Sequence, residues 1–443
     1  MQTTFRAVDF MHGLQYNGLK CNCRTTCRTT NRWDLSSAAM DTKMNRHPLK
    51  FALLMAIFSA LGPFSFDMYL PAFPQMAAFF DTDAYMIQVS LTACLLGLSV
   101  GQVAMGAFSD VFGRRKPLLI AMIVYVLSSF GCALAPNIYV FVVLRFVQGF
   151  AISAGTISGA IVRDLYSGVE LTKVFSLLSM IRSLAPLLAP IAGGIVVSYL
   201  PWKAVFVFLG LLGVYLTAVT VWKLEETLPP ERRVSGSAQT LWRNYKSLLL
   251  NRTFMGYALV QGCMSAGIFA YISGTPFIYQ NIYGVSPQMF SMLFALNGIS
   301  LILGSQLVRG LAGKVSERRI LLVGLSLALV TAIAVLAVIL AHGPLIALVV
   351  SLFFFVAANG ITHPSSFALA MESQGHIAGS AAALLGVIPF LLGSVTSPLV
   401  GIAGESSAVP LGVILIATCS LSFMAYAGLV KKPMKKSPRS FSA

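Results

Sequence analysis

Two charged residues stand deep inside apolar stretches of this chain, Asp67 and Arg145. An ionisable group at membrane depth is costly and marks a functional site by default, usually with a partner. From a helix start near residue 50, Asp67 lies roughly 25 Å along at about 1.5 Å per residue. Arg145 lies about seven residues into a helix running the other way, roughly 10 Å from the same face. The two are therefore expected at similar depth, facing a central cavity within reach of each other. Burial opposes ionisation of the carboxyl and the guanidinium favours it, so small rearrangements can toggle protonation. That chemistry suits proton coupling; the alternative is a fixed ion pair that only locks the first helix. Arg182 is a second intramembrane cation, open between shaping selectivity, binding an anionic group and snorkelling along a helix edge.

A second constellation is a turn. Gly106-Ala-Phe-Ser-Asp110-Val-Phe-Gly113-Arg114-Arg115 places an acid at a helix end, then two cations after a tight turn that Gly113 permits. Asp164, at the end of the fourth apolar run, is the natural partner for Arg114. The stretch recurs without a gap as Gly310-Leu-Ala-Gly-Lys314-Val-Ser-Glu317-Arg318-Arg319. A duplicated six-helix unit is the simplest source of that repeat, and such repeats carry alternating access in many transporters. The second copy has Lys314 for Asp110 and Glu317 for Gly113, so a weaker or inverted gate is expected there. Pro186, Pro190, Gly193 and Gly194 are expected to bend and thin the fifth helix, letting it close against the eighth. Gly155-x-x-x-Gly159 reads as the same kind of close packing. Gln148, Gln261, Tyr271, Asn359 and His363, with Phe64 and Phe269 as aromatic walls, are the expected lining of an amphipathic binding cavity. Each taken singly also fits interhelical packing.

The elements that must position these residues follow from composition. Of 443 residues, 57% are hydrophobic and 10% charged, against about 25% charged in a soluble domain. The apolar runs are continuous over about 20 residues, which is helix length for a bilayer and not the alternation of a barrel strand. The expected fold is an all-α membrane protein of twelve helices in two six-helix bundles. Its parts are a cytoplasmic N-terminal tail, 1–48; a first bundle, 49–222; a linker, 223–252; a second bundle, 253–430; and a basic tail, 431–443. Met40 and Met44 just before the first run offer alternative starts, a reading that mass spectrometry of the N-terminus would test. Lys and Arg fall on one side of the membrane, and of the basic residues only Lys203 is opposite, which puts both termini in the cytoplasm. The net charge of +16 lies in these short loops and not along one face, so nucleic acid is not an expected partner. The seven cysteines form no disulfide or metal pattern, even where Cys21, Cys23 and Cys27 cluster. Gly97-Leu98-Ser99-Val100-Gly101 has nucleophile-elbow spacing but lies within a helix, not at a strand-turn-helix corner. No phosphate-binding loop or His-Glu-x-x-His occurs, so no enzyme and no cofactor are expected, and energy has to come from an ion gradient.

The chain resembles the major facilitator superfamily. Gly106-x-x-x-Asp110-x-x-Gly113-Arg114-Arg115-Lys116 is that superfamily's signature turn, and the resemblance covers about residues 49–432. Phe66-Asp67-Met68-Tyr69-Leu70-Pro71-Ala72-Phe73-Pro74 is similar to the bicyclomycin-resistance and chloramphenicol-efflux group of drug:proton antiporters. Arg145-Phe-Val-Gln148-Gly149, Glu226-Thr-Leu-Pro-Pro-Glu-Arg-Arg233 and Ala378-Gly-Ser-Ala-Ala-Ala-Leu-Leu-Gly386 agree with it. The resemblance implies a monomer in a bacterial inner membrane that exports small amphipathic drugs in exchange for protons, with the turn charges holding the outward-facing state. A sugar or metabolite exporter on the same fold is the alternative. Two departures stand out: Ala189 replaces the glycine before Pro190 in the exporters' fifth-helix motif, and Ser59 stands where some relatives carry a second acid.

Overall fold

Apolar runs of this length fold as helices because only an intrahelical ladder satisfies backbone polar groups in lipid. In the computed structural model, which describes residues 48–233, 238–372 and 374–430, twelve helices are long and apolar enough to cross a membrane. In chain order the spans are Phe51–Phe80, Ala84–Phe112, Arg115–Leu134, Ile138–Leu165, Gly168–Tyr199 and Lys203–Lys223, then Arg252–Ile282, Pro287–Leu311, Glu317–Leu340, Leu345–Met371, Ala378–Ala403 and Val409–Val430. Among the described residues there is no strand. Both tails, with Cys21, Cys23 and Cys27, lie outside the described residues.

Consecutive spans alternate in direction, so the turns at 113–114, 166–167, 312–316 and 372–377 share one side with the segment 224–251. This is the side rich in Lys and Arg, here the basic side. The first span is interrupted: an α-helix Pro48–Asp67, a 3-10 turn Leu70–Ala72 and a second helix Phe73–Phe80. Pro71 and Pro74 sit in the first turns of the last two pieces, where a missing N–H costs nothing but the preceding helix must stop. The first span thus runs to residue 80. The fifth span runs as one unbroken helix through Pro186 and Pro190. The segment between the halves is not all linker, since it carries a helix, Ala238–Leu250, that buries Leu248.

The two halves repeat one packing scheme. The second span packs on the fourth, the first on the fifth and the third on the sixth; the eighth packs on the tenth, the seventh on the eleventh and the ninth on the twelfth. Glycines carry close contacts in the second–fourth and the eighth–tenth pairs alike. A Cβ on Gly97 would stand 2.1 Å from the Phe146 carbonyl oxygen, and one on Gly304 would stand 2.2 Å from that of Ala357. Small residues let backbones meet where lipid offers no hydrophobic drive. The Gly97-x-x-x-Gly101 spacing is therefore a packing seam, and Ser99 donates to its own helix at Leu95.

The halves meet along the second and eleventh spans and along the fifth and eighth. Away from the basic side they are closed on each other. Gln88 Nε2 donates to the Ser273 carbonyl at 3.1 Å, Gln280 Nε2 to that of Pro71 at 3.3 Å, and the Phe73 and Phe277 rings lie 5.8 Å apart. Toward the basic side the fifth and eighth spans border a cleft of about 760 Å³.

Candidate functional site

Arg145 and Asp67 do not pair, which corrects the expectation from depth alone. Arg145 is fully buried and donates to the Ser65 carbonyl at 3.0 Å and to Gln148 Oε1. Its guanidinium carbon lies 4.2 Å from the centre of the Tyr69 ring and 5.6 Å from that of Phe206. Ser65 and Tyr69 mark the side of the first helix and its break turned to Arg145. Asp67 is the last residue of that helix, and Tyr69 already stands in the break that follows it. No carboxylate among the described residues is within ion-pair distance of Arg145. Its charge is offset by π faces and carbonyl dipoles; a desolvated cation–π contact is worth about 2 kcal/mol or more.

Gln148 belongs to the same buried network and not to a cavity wall. Its Nε2 donates to Ser129 Oγ, which donates to the Tyr125 carbonyl, and the Tyr125 hydroxyl meets Ser65 Oγ at 2.8 Å. The chain of bonds ties the first, third and fourth spans together.

Asp67 ends the first helical segment, 3% exposed, and its Oδ1 has no hydrogen-bond partner. Across the interface between the halves, Tyr271 of the seventh span is also buried. Tyr271 stacks on Phe294 and accepts a hydrogen bond from Asn297 Nδ2 at 3.1 Å. Asn297, fully buried, is a polar residue in mid-span that the sequence reading missed; its position inside an apolar run was the available signal.

Just beyond Asp67 the fifth span seals the closed end. A Cβ on Gly193 would stand 1.8 Å from the Met68 carbonyl oxygen, and one on Gly194 would stand 2.3 Å from Ser291 Oγ of the eighth span. The glycine pair is thus wedged between the break in the first span and the other half. Gly155 is also a close contact, 2.9 Å from the Phe58 carbonyl oxygen by the same measure, but Gly159 and Gly106 face open space.

On the basic side, Arg114 joins three helix ends. Its Nη1 donates to Asp110 Oδ1 at 2.6 Å and to Ser109 Oγ, and its Nε to Asp164 Oδ2 at 2.9 Å. Burial works against its charge, but the bonds to Asp164 and Asp110 outweigh it and hold the pKa above its ordinary value. Gly113 has φ +90°, a conformation that favours glycine. A third acid, Glu226, completes the turn and went unassigned in sequence. Its two carboxylate oxygens accept from the backbone N–H of Arg114 at 2.7 Å and of Arg115 at 3.3 Å, capping the third span. Arg115 Nη2 reaches the Val221 carbonyl at 2.8 Å, so the end of the sixth span is strapped to the same turn. Nothing local in the string Glu226-Thr-Leu-Pro-Pro names a partner 112 residues away. Among the described residues the corresponding turn of the second half, at Lys314 and Glu317, forms no ion pair. Glu226→Gln is expected to keep the shape but weaken the cap by about 0.3–1 kcal/mol of helix-dipole interaction and part of two charge-assisted hydrogen bonds. A lowered thermal midpoint of the purified protein in detergent would show it; an unchanged midpoint would refute the cap.

The remaining expected lining residues divide. Arg182 and His363 are exposed and Phe64 is half-buried. Gln261 is buried, donating to the Leu385 carbonyl and lying 3.1 Å from His363 Nε2. Phe269 is buried against Phe390, and Asn359 bonds its own helix at Phe355. With Gln148 and Tyr271, these polar and aromatic side chains serve helix packing in this state. Cys94, Cys132, Cys263 and Cys419 are free, and no group of three or more potential metal ligands occurs among the described residues.

Comparison with known proteins agrees with this architecture. The sequence model of the Major Facilitator Superfamily matches residues 55–398. The chain is 47% identical over 387 residues to an uncharacterized MFS-type transporter, YdgK, of Bacillus subtilis, covering 87% of this chain and 96% of that one. It is 31% identical over 386 residues to a bicyclomycin resistance protein homolog of Haemophilus influenzae, covering 87% and 97%. Over 255 residues, 56% of this chain and 59% of the other, it is 36% identical to a chloramphenicol resistance protein of Pseudomonas aeruginosa. Among solved structures, a bacterial homolog of the human lysosomal transporter Spinster, inward-facing and unoccupied, superposes with TM-score 0.72 at 13% identity, covering 88% of this chain and 99% of that one.

Proposed function

The chain belongs to the major facilitator superfamily, and from that premise we propose that it is a secondary active exporter moving small amphipathic drugs out of the cell in exchange for protons. The positive-inside rule makes the basic side cytoplasmic, with both termini there. The relatives' bacterial sources support an inner-membrane location, and their names support a drug cargo. The chain works as a monomer in this reading, since each copy holds both halves of the pathway.

The observation that carries the proposal is Asp67. It is buried at the closed end of the structure with one carboxylate oxygen lacking a hydrogen-bond partner, where an ionised carboxylate would cost several kcal/mol. The conformation open to the basic side is therefore read as the proton-loaded one. Opening of the far side would hydrate Asp67 and exchange its proton with the exterior. Arg145 serves as a positioning residue, holding the Ser65–Tyr69 turn from which Asp67 projects. Asp110, Arg114, Asp164 and Glu226 bind the inner ends of the second, third, fourth and sixth spans into one body that swings against the second half.

The test is efflux from a drug-loaded, efflux-deficient bacterial host. Chloramphenicol efflux is expected to saturate and to stop when an ionophore collapses the proton gradient. Efflux that persists without the gradient, or no efflux of any compound in a panel of amphipathic drugs, would overturn the reading.

A further inference from the structure

The cleft between the fifth and eighth spans has a chemical sign. Its volume of about 760 Å³ suits a drug-sized molecule. One wall is a row of hydroxyls, Thr172, Ser176, Ser179 and Ser183, spaced to share one helix face. Facing and flanking it are apolar groups such as Phe175 and Ile302, and Arg309 stands at the basic-side end. No carboxylate lines the cleft.

Arg182 precedes Ser183, one of the lining residues of the fifth span farthest from the basic side, and borders the cleft without being one of its lining residues. Its side chain is exposed, and Nη2 donates to Ser59 Oγ at 3.1 Å. Ser59 Oγ in turn meets Ser158 Oγ at 2.7 Å. No acid among the described residues lies within ion-pair distance of Arg182. A guanidinium has five N–H donors, and a hydroxyl takes up one of them without cancelling the charge. Arg145 shows the contrasting case in the same protein, sealed between two rings with its charge turned from water. Arg182 instead presents an exposed cation with no acid partner among the described residues, a surface of positive sign. Such a surface attracts organic anions and repels organic cations.

We infer that this cleft binds small amphipathic organic anions, a carboxylate or sulfonate on an apolar body, with Arg309 receiving the anion at the mouth and Arg182 holding it at the inner end. The inference rests on the transport reading above and gives that cargo a class. A bidentate contact between guanidinium and carboxylate supplies the recognition, and the apolar side chains take the body of the ligand.

The experiment is fluorescence titration of the purified full-length protein in phosphatidylcholine nanodiscs with two probes that share a fluorophore, dansylglycine and dansylamide. The carboxylate probe is expected to bind about tenfold or more tighter than the neutral one, the range of a charge-assisted hydrogen bond. Arg182→Gln and Arg309→Gln should each remove about that factor for dansylglycine and leave dansylamide unchanged, and Arg182→Lys should restore part of it. Equal affinity for the two probes, or equal loss of both in Arg182→Gln, would overturn the inference. So would displacement of dansylglycine by phosphatidylglycerol in the nanodisc, which would make the occupant a lipid headgroup. The titration uses no gradient, so its failure leaves proton exchange standing, and failure of proton exchange leaves the titration standing.

Discussion

Asp67→Asn is expected to abolish drug-driven proton movement in proteoliposomes while the protein still purifies as a folded monomer. The reason lies in the site's geometry. The carboxyl is 3% exposed and has an oxygen without a partner. An amide of the same shape fills the same space, carries no charge and cannot release a proton. It mimics the neutral acid permanently, so the closed contact around Gly193 and Gly194 should be favoured and the exchange step lost. The measurement is the fluorescence of a pH dye trapped in the vesicles when drug is added outside. Proton flux equal to that of the unaltered protein would remove Asp67 from the mechanism. Asp67→Glu keeps the titrating group and should retain part of the flux, which separates chemistry from packing.

Gly193→Val should act on the conformational equilibrium instead. A Cβ there would stand 1.8 Å from the Met68 carbonyl oxygen, which is backbone and cannot rotate aside. The fifth span has to withdraw from the break in the first, and with it the Gly194–Ser291 contact between the halves opens. Overpacking of this kind costs about 1–3 kcal/mol, a population shift of roughly five- to a hundredfold toward the state open on the far side. A single cysteine introduced at Gln280 in a background lacking the natural cysteines reports it, because Gln280 bonds the Pro71 carbonyl across the closed side. Labelling by an impermeant maleimide added outside should accelerate in Gly193→Val. An unchanged rate would show that the glycine pair does not hold the closure.

The architecture was largely legible because lipid leaves so few choices. Twelve runs were enough to count the helices, and the Gly106/Gly310 repeat was enough to read them as two related halves. Arg114 with Asp164 was readable for the same reason, since both lie at helix ends on one side. The site inside the membrane was less legible. Depth along a helix follows from counting residues, but direction around it needs the helix face, and Ser65 and Tyr69 define that face only once Arg145 is seen against them. Polar residues in mid-span, such as Gln148 and Asn359, read as cavity lining, yet a polar group in lipid finds a protein partner first. Glu226 was unreadable because its partners are backbone N–H groups of a distant turn, which leave no trace in residue type.

The way Arg145 is covered also bears on how the protein is made. Spans leave the ribosome in order, and an arginine within an inserting helix is costly, up to about 2.5–3.5 kcal/mol when it stands at the centre. When the fourth span arrives, Tyr69 is already present to cover one face of the guanidinium, but Phe206 belongs to the sixth. A nascent chain halted after Tyr199 would leave that cation open to lipid, and one halted after Lys223 would close it. The sixth helix is then what lets the first half leave the insertion machinery as a finished body.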